Sequence, residues 1–159
     1  MTPIFLIFAL QIKKMEIKQN NPTLDAIISI YEQAKDSKFS HGFLESIQID
    51  SNSLQEYFKL DANESLLLAL FIAIQLEEGT VELQKLAAHI GCSKLKILLF
   101  KPIFDNFCQI GILDIDQMQI RLSLLGNRSI NYLVNKTLVD AILNQNPMPV
   151  INKTPPNDI

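Results

Sequence analysis

Apolar residues are unevenly spread along this 159-residue chain. The densest block is Leu66 to Ile74 (LLLALFIAI), and no polar position interrupts it before Gln75. A helix that is hydrophobic on every side has to be covered on every side, by protein or by lipid. The block is far shorter than the ~20 residues a membrane-spanning helix needs, so its cover is protein. Both ends are marked. Asp61 can accept from the backbone three residues on while Glu64 reaches back, the reciprocal arrangement of a capping box. Gly79 supplies a C-terminal stop. The pattern predicts a central helix over Asp61–Glu78, with the other elements arranged around it.

Downstream the period changes. Val81 and Leu83 alternate with Thr80 and Glu82, which predicts a short strand. Leu86, Ala87 and Ile90 share one side of a helix from Lys85 to Ile90, and Gly91-Cys92 supplies the turn after it. Ser93 caps the next helix, Lys94 to Ile110, which Gly111 stops. Pro102 falls inside it, cannot donate to the Leu98 carbonyl and disfavours helical geometry at Lys101. A kink or a division near Lys101 is therefore expected. Ile112 to Ile115 opens a β region, and Met118, Ile120, Leu122 and Leu124 alternate with Gln119, Arg121 and Ser123 as in a half-buried strand. Leu125 to Arg128 is turn chemistry, and Ile130 to Val134 reads as the returning strand. Thr137 caps a last helix to about Gln145. Pro147, Pro149, Pro155 and Pro156 follow in a tail with no core of its own.

Upstream, Gln19 to Pro22 is a polar break. Thr23 caps a helix in which Leu24, Ile27, Ile28 and Tyr31 fall at helical spacing. Asp36 to Gly42 reads as a loop and Phe43 to Ile49 as ambiguous. Ser51 or Ser53 can cap a helix through Leu54, Tyr57 and Phe58. The opening stretch, Thr2 to Leu10, is apolar, with Lys13 and Lys14 after it. A secretory signal has its positive charge before the apolar run and small residues at a cleavage point after it. The segment therefore reads as an extension upstream of a natural start at Met15, outside the fold.

Hydrophobic residues make up 48% of the chain and charged residues 19%, enough to fill a core. Two cysteines make no disulfide framework, which points to a reducing cytoplasm. The net charge of −3 argues against a generic polyanion binder, but its distribution is uneven. Residues 1–79 carry six Lys/Arg against eleven Asp/Glu, a net of −5, whereas residues 80–136 carry seven against four, a net of +3. The basic excess coincides with the helix, turn, helix and hairpin pattern.

That order, as LQKLAAHIGCSKLKILLF followed by FDNFCQIGILDI, resembles the winged helix-turn-helix superfamily. Together with DANESLLLALFIAI before it and INYLVNKTLVDAIL and the proline tail after it, the chain is similar to the N-terminal region of a group of bacterial AAA-family ATPases. There a winged-helix region precedes the ATPase domain. The departure is large: no G-x-x-x-x-G-K-[ST] occurs, so any ATPase activity would belong to a longer or neighbouring chain. The expected fold is mostly α with a small β-wing. Its expected parts are an extension over 1–22, a helical appendage over 23–60, the winged helix over 61–136, and a C-terminal helix with a Pro-rich tail over 137–159.

Candidate chemistry is sparse. His89, Cys92, Cys108 and His41 are zinc-ligand residue types at a spacing wrong for paired short motifs. Cys92 as a nucleophile would need a base and an oxyanion site, and Gly91-Cys92 is already explained as a turn. The sequence reads as non-enzymatic, with no cofactor, metal or small-molecule substrate and no membrane association. Interest falls on the outward face of the third helix, where Lys94, Leu98, Lys101, Asp105 and Gln109 line up, with Phe100, Phe104 and Phe107 inward and Ile97 on the flank. A DNA-reading helix uses Arg, Asn, Gln or Ser at its N-terminal outward positions. Lys94 and Lys101 could hold phosphates, and Arg121 and Arg128 on the wing could add backbone contacts. Leu98 and Asp105 suit protein better. Two functions remain: a regulatory or protein-docking module like the front end of an AAA-family ATPase, with weak DNA binding, or a stand-alone DNA-binding regulator.

Overall fold

A computed structural model describes residues 20–115 and 131–151. The described residues are mostly helical, with a small three-stranded antiparallel sheet. The first 19 residues, the predicted strand Met118–Leu124, the turn after it, and Pro155 and Pro156 lie outside them.

The central helix, α4 (Ala62–Glu78), has every residue from Ser65 to Ile74 buried. Its capping box is complete: Glu64 N donates to Asp61 Oδ1 at 2.8 Å, and Asp61 N donates to Glu64 Oε1 at 3.1 Å. Gly79, at φ +90°, ends it. Two helices from the N-terminal part, α1 (Pro22–Ala34) and α3 (Gln48–Phe58), pack on α4 and on each other, and the short α2 (His41–Ser46) lies between them in sequence. Ala26, Ile27 and Ile30 of α1, together with Leu54 and Phe58 of α3, join the same apolar cluster as Leu86 and Phe104 further along.

Several element starts differ from expectation, and the reasons are local. Helix α1 is capped by Asn21, whose Oδ1 accepts from Leu24 N at 3.1 Å. Pro22 sits in its first turn, where a missing N–H costs nothing, and Thr23 lies inside the helix. The ambiguous Phe43 stretch is helical because Ser40 caps it. Ser51 and Ser53 cap nothing: α3 begins at Gln48, and the buried Ser51 accepts from Gln55 Nε2 at 3.0 Å. The last helix, α8 (Lys136–Leu143), is capped by Asn135 instead of Thr137 and stops short of Gln145. Beyond it, Met148 and Ile151 pack against the core, so the first part of the tail is covered.

After α4 the chain forms β1 (Val81–Glu82) and α5 (Leu83–Ile90), so Leu83 belongs to the helix. The other strands are β2 (Leu113–Ile115) and β3 (Asn131–Val134), in sheet order β1-β3-β2. Val81 faces Tyr132 across one pair, and Ile115 faces Tyr132 across the other. Gln75, the first polar residue after the apolar block, fastens the sheet to α4. Its Oε1 accepts from Val134 N, and its Nε2 donates to Val134 O at 3.5 Å. Beside it Phe71, Phe104 and Tyr132 form an aromatic cluster with centroids 5.0–6.1 Å apart. Burial pushes the Tyr132 phenol up to about 12, with smaller contributions from Cys108 and Asp105. No described helix is long and apolar enough to cross a membrane.

Candidate functional site

The third helical stretch is where sequence and structure differ most usefully. The expected single helix from Lys94 to Ile110 is three pieces: α6 (Lys94–Ile97), a 3-10 turn (Leu98–Phe100) and α7 (Lys101–Ile110). Ser93 caps the first piece, its Oγ accepting from Lys96 N at 3.3 Å. The division falls where Pro102 predicted one. Pro102 lies in the first turn of α7, a position that needs no N–H, while Lys101 itself keeps helical angles. Gly111, at φ +89°, ends α7.

The division shifts the outward face of α7 relative to that of α6. A 3-10 turn advances each residue by about 120° against 100° in an α-helix, so three residues rotate the face by roughly 60°. Ile97, expected on the flank, is fully buried. Phe104 and Phe107 are buried as expected, but Phe100 is only partly covered, its ring edge-on to Phe39 at 5.8 Å. Leu98 is exposed, at 37%, yet it is the least exposed of three neighbours: Leu95 stands 77% exposed and Leu99 75%. Spacing alone could have singled out the pair, since i and i+4 share a helix face.

The charges around these leucines are not equivalent. Lys101 Nζ donates to both carboxylate oxygens of Asp105, at 2.8 and 3.1 Å, so that ammonium is already engaged. Lys94 and Lys96 form no ion pair among the described residues and stand exposed beside Leu95. Arg121 and Arg128 lie outside the described residues. The structure thus places Lys94, Leu98 and Lys101 on exposed positions of one short stretch, with Leu95 and Leu99 as the members that sequence reasoning passed over.

The turn before this stretch is held by the N-terminal part. Asp36 N donates to His89 O and Lys38 N to Ile90 O, both at 2.9 Å, so the loop after α1 caps the end of α5. His89 stacks on Tyr31 at 4.1 Å, and its Nε2 lies 2.7 Å from the Tyr31 carbonyl oxygen. Gly91 takes φ +86°, and a Cβ there would stand 3.2 Å from Asp36 Cα. Tyr31's phenol is raised by burial and then by Glu77 and Glu78. His41 is exposed and pairs with Glu45 at 3.0 Å. Among the described residues no three His, Cys, Asp or Glu side chains come together as a metal site would require. No protein-family model matches the chain, and neither a curated protein nor a solved structure does.

Proposed function

We propose that the chain is a winged-helix module that docks protein through the leucines of its third helical stretch, and that it performs no catalytic step of its own. The winged-helix reading is supported by element order: helix, strand, helix, helix, strand, strand, with the last strand central in the sheet. The sequence resemblance supports a place like that of the regions preceding the ATPase domain in bacterial AAA-family ATPases. The docking reading is carried by one observation, the exposure of Leu95 and Leu99 where a groove-reading helix would present polar groups. A recognition helix also needs length to lie along a major groove, and α6 has only one turn before the chain tightens. The DNA-binding regulator draws its support from Lys94 and Lys96 at the N-terminal end of that helix.

Replacing Leu99 with a photo-cross-linking amino acid, in cells that make the protein, separates the two. Covalent capture of protein at that position is expected. Capture of nucleic acid alone, or of nothing, overturns the docking reading. A duplex titration over a salt series adds the second arm. A regulator would show a tight site, a steep salt slope and a loss of about 2 in that slope when Lys94 and Lys101 are both changed to Ala. In the docking reading Leu98→Ala leaves DNA affinity unchanged and weakens protein capture.

A further inference from the structure

A groove of opposite charge to the leucine stretch lies between α1 and α4. Leu24, Ile28, Tyr31 and Glu32 of α1, with Leu76 and Glu77 of α4, wall a single hollow of about 280 Å³. Ile28 is 43% exposed and Leu76 45%, so the apolar wall is uncovered. Among the described residues Glu32 and Glu77 are in no ion pair, and no Lys, Arg or His lines the hollow. Glu78, next in sequence, is engaged by Lys85 at 2.7 Å. Burial raises the Tyr31 phenol first and Glu77 second, which places that carboxylate's field at the hollow. The volume is just below the ~300–1,000 Å³ of small-molecule sites. A groove between two helices can instead receive the apolar face of another, read as anchors at i, i+3 and i+4. Leu95, Leu98 and Leu99 have that spacing. Lys94 stands four residues before Leu98 and Lys96 three before Leu99, so both border the leucines on the helix surface.

We infer that the partner of the leucine face is a second copy of this chain, which receives Leu95, Leu98 and Leu99 in its α1–α4 groove. Charge complementarity names this occupant: the leucines are bordered by two unpaired lysines, the groove by two unpaired carboxylates, and each copy carries both surfaces. The leucines meet Ile28 and Leu76 at the centre, and lysine meets carboxylate at the rim, the arrangement that steers encounter and fixes register. The contact joins unlike surfaces, so it builds a closed set if the rotation between copies closes and a chain of copies if it does not. A small groove and one short helical stretch make a weak, concentration-dependent association. This inference rests on the reading of the leucines as a protein-docking face.

Sedimentation velocity of the full chain over a concentration series tests it with two charge-reversed variants. One carries Lys94→Glu and Lys96→Glu on the leucine face; the other carries Glu32→Lys and Glu77→Lys in the groove. All four positions are exposed, and Glu32 and Glu77 lie in the last turns of α1 and α4, where lysine suits the helix dipole, so melting curves should match the unaltered chain. Each variant alone sets like charges opposite each other and is expected to associate at least ~10-fold more weakly than the unaltered chain. Mixed together they are expected to associate again, because the face of one and the groove of the other are unaltered and the two reversed surfaces also match. If the groove variant associates as the unaltered chain does, or if the mixture gains nothing, the second copy is the wrong occupant. An unaltered chain that stays monomeric at several hundred micromolar overturns it as well. The docking reading would survive these failures if position 99 cross-links to a different protein, and both would fall if it cross-links to nucleic acid.

Discussion

Two leucine-rich stretches meet opposite fates. In α4, LLLALFIAI is sealed on every side by α1, α3, the sheet and the aromatic cluster around Phe71. In the third helical stretch, KLKILLF, only Ile97 is fully buried, and Leu95 and Leu99 stand three-quarters exposed. The two lysines mark the second stretch as reaching solvent, but leucine content alone does not separate the two. The surrounding elements separate them further. The central helix is ringed by elements from both ends of the chain, whereas the short α6 has one face on the core and the rest in solvent. An exposed isolated leucine is ordinary, whereas here three fall within five residues beside lysines, the feature on which the docking proposal rests.

The comparison can be broken most forcefully at its buried end. Leu70→Ala removes a fully buried side chain and leaves a cavity, which should lower unfolding free energy by ~2–5 kcal/mol in denaturant melts. A loss below 1 kcal/mol would mean that the central helix is not sealed as described.

The next effect is one of pH. Tyr132 ionises near 10 in the unfolded chain and at about 12 in the folded one. The folded state therefore holds the proton longer. Stability is full below pH 10 and declines as pH rises toward 12, by up to about 2–3 kcal/mol from this group. Tyr132→Phe should remove that part of the alkaline limb while leaving the neutral-pH plateau close to its original level. Melts between pH 8 and pH 12 on both chains would read the difference.

A smaller effect is expected at the cap of α4. Asp61→Ala removes the acceptor for Glu64 N and should cost ~0.5–2 kcal/mol, measured as a shift in the denaturation midpoint. At the exposed end, Leu95→Ala and Leu99→Ala should each move stability by no more than about 0.5 kcal/mol while weakening protein capture. Melting and binding are thus expected to separate there, whereas at Leu70 loss of fold would carry binding with it.

The capping box at Asp61 and Glu64 was legible because its parts are three residues apart and need nothing from the rest of the fold. The unbroken burial of Leu66–Ile74 was legible for a related reason: a helix without a polar side has no alternative to being enclosed. The helix starts at Thr23 and Thr137 were misplaced by two residues in the same way. In each case an Asn two positions earlier takes the cap, and Asn caps at least as well as Thr, so the first hydroxyl met was the wrong choice. The exposure of Leu95 and Leu99 was signalled by their i, i+4 spacing and passed over. The phase of α7 was harder to read, because it depends on where the helix breaks and by how much the face then turns. Pro102 announced the break, but the three tightened residues before it set the new phase. The grip of Asp36 and Lys38 on the end of α5 left no trace in the pattern, since it is made by backbone groups that every residue possesses.

The central position of β3 has a consequence for the order in which the protein comes into being. Among the described residues, β1 and β2 pair with β3 and not with each other, and β1 precedes it by about fifty residues. During synthesis, α1 to α4 can emerge and pack while neither strand pair yet exists. Until Asn131–Val134 leaves the ribosome, Gln75 has no Val134 backbone to hold and Phe71 has no Tyr132 ring beside it. The helical half is therefore a natural early assembly, and the sheet a late one that closes over it. Pairings so distant along the chain are slow to form. A nascent chain arrested before residue 131 should protect its α1 and α4 amides from exchange and leave Val81 and Leu113 open.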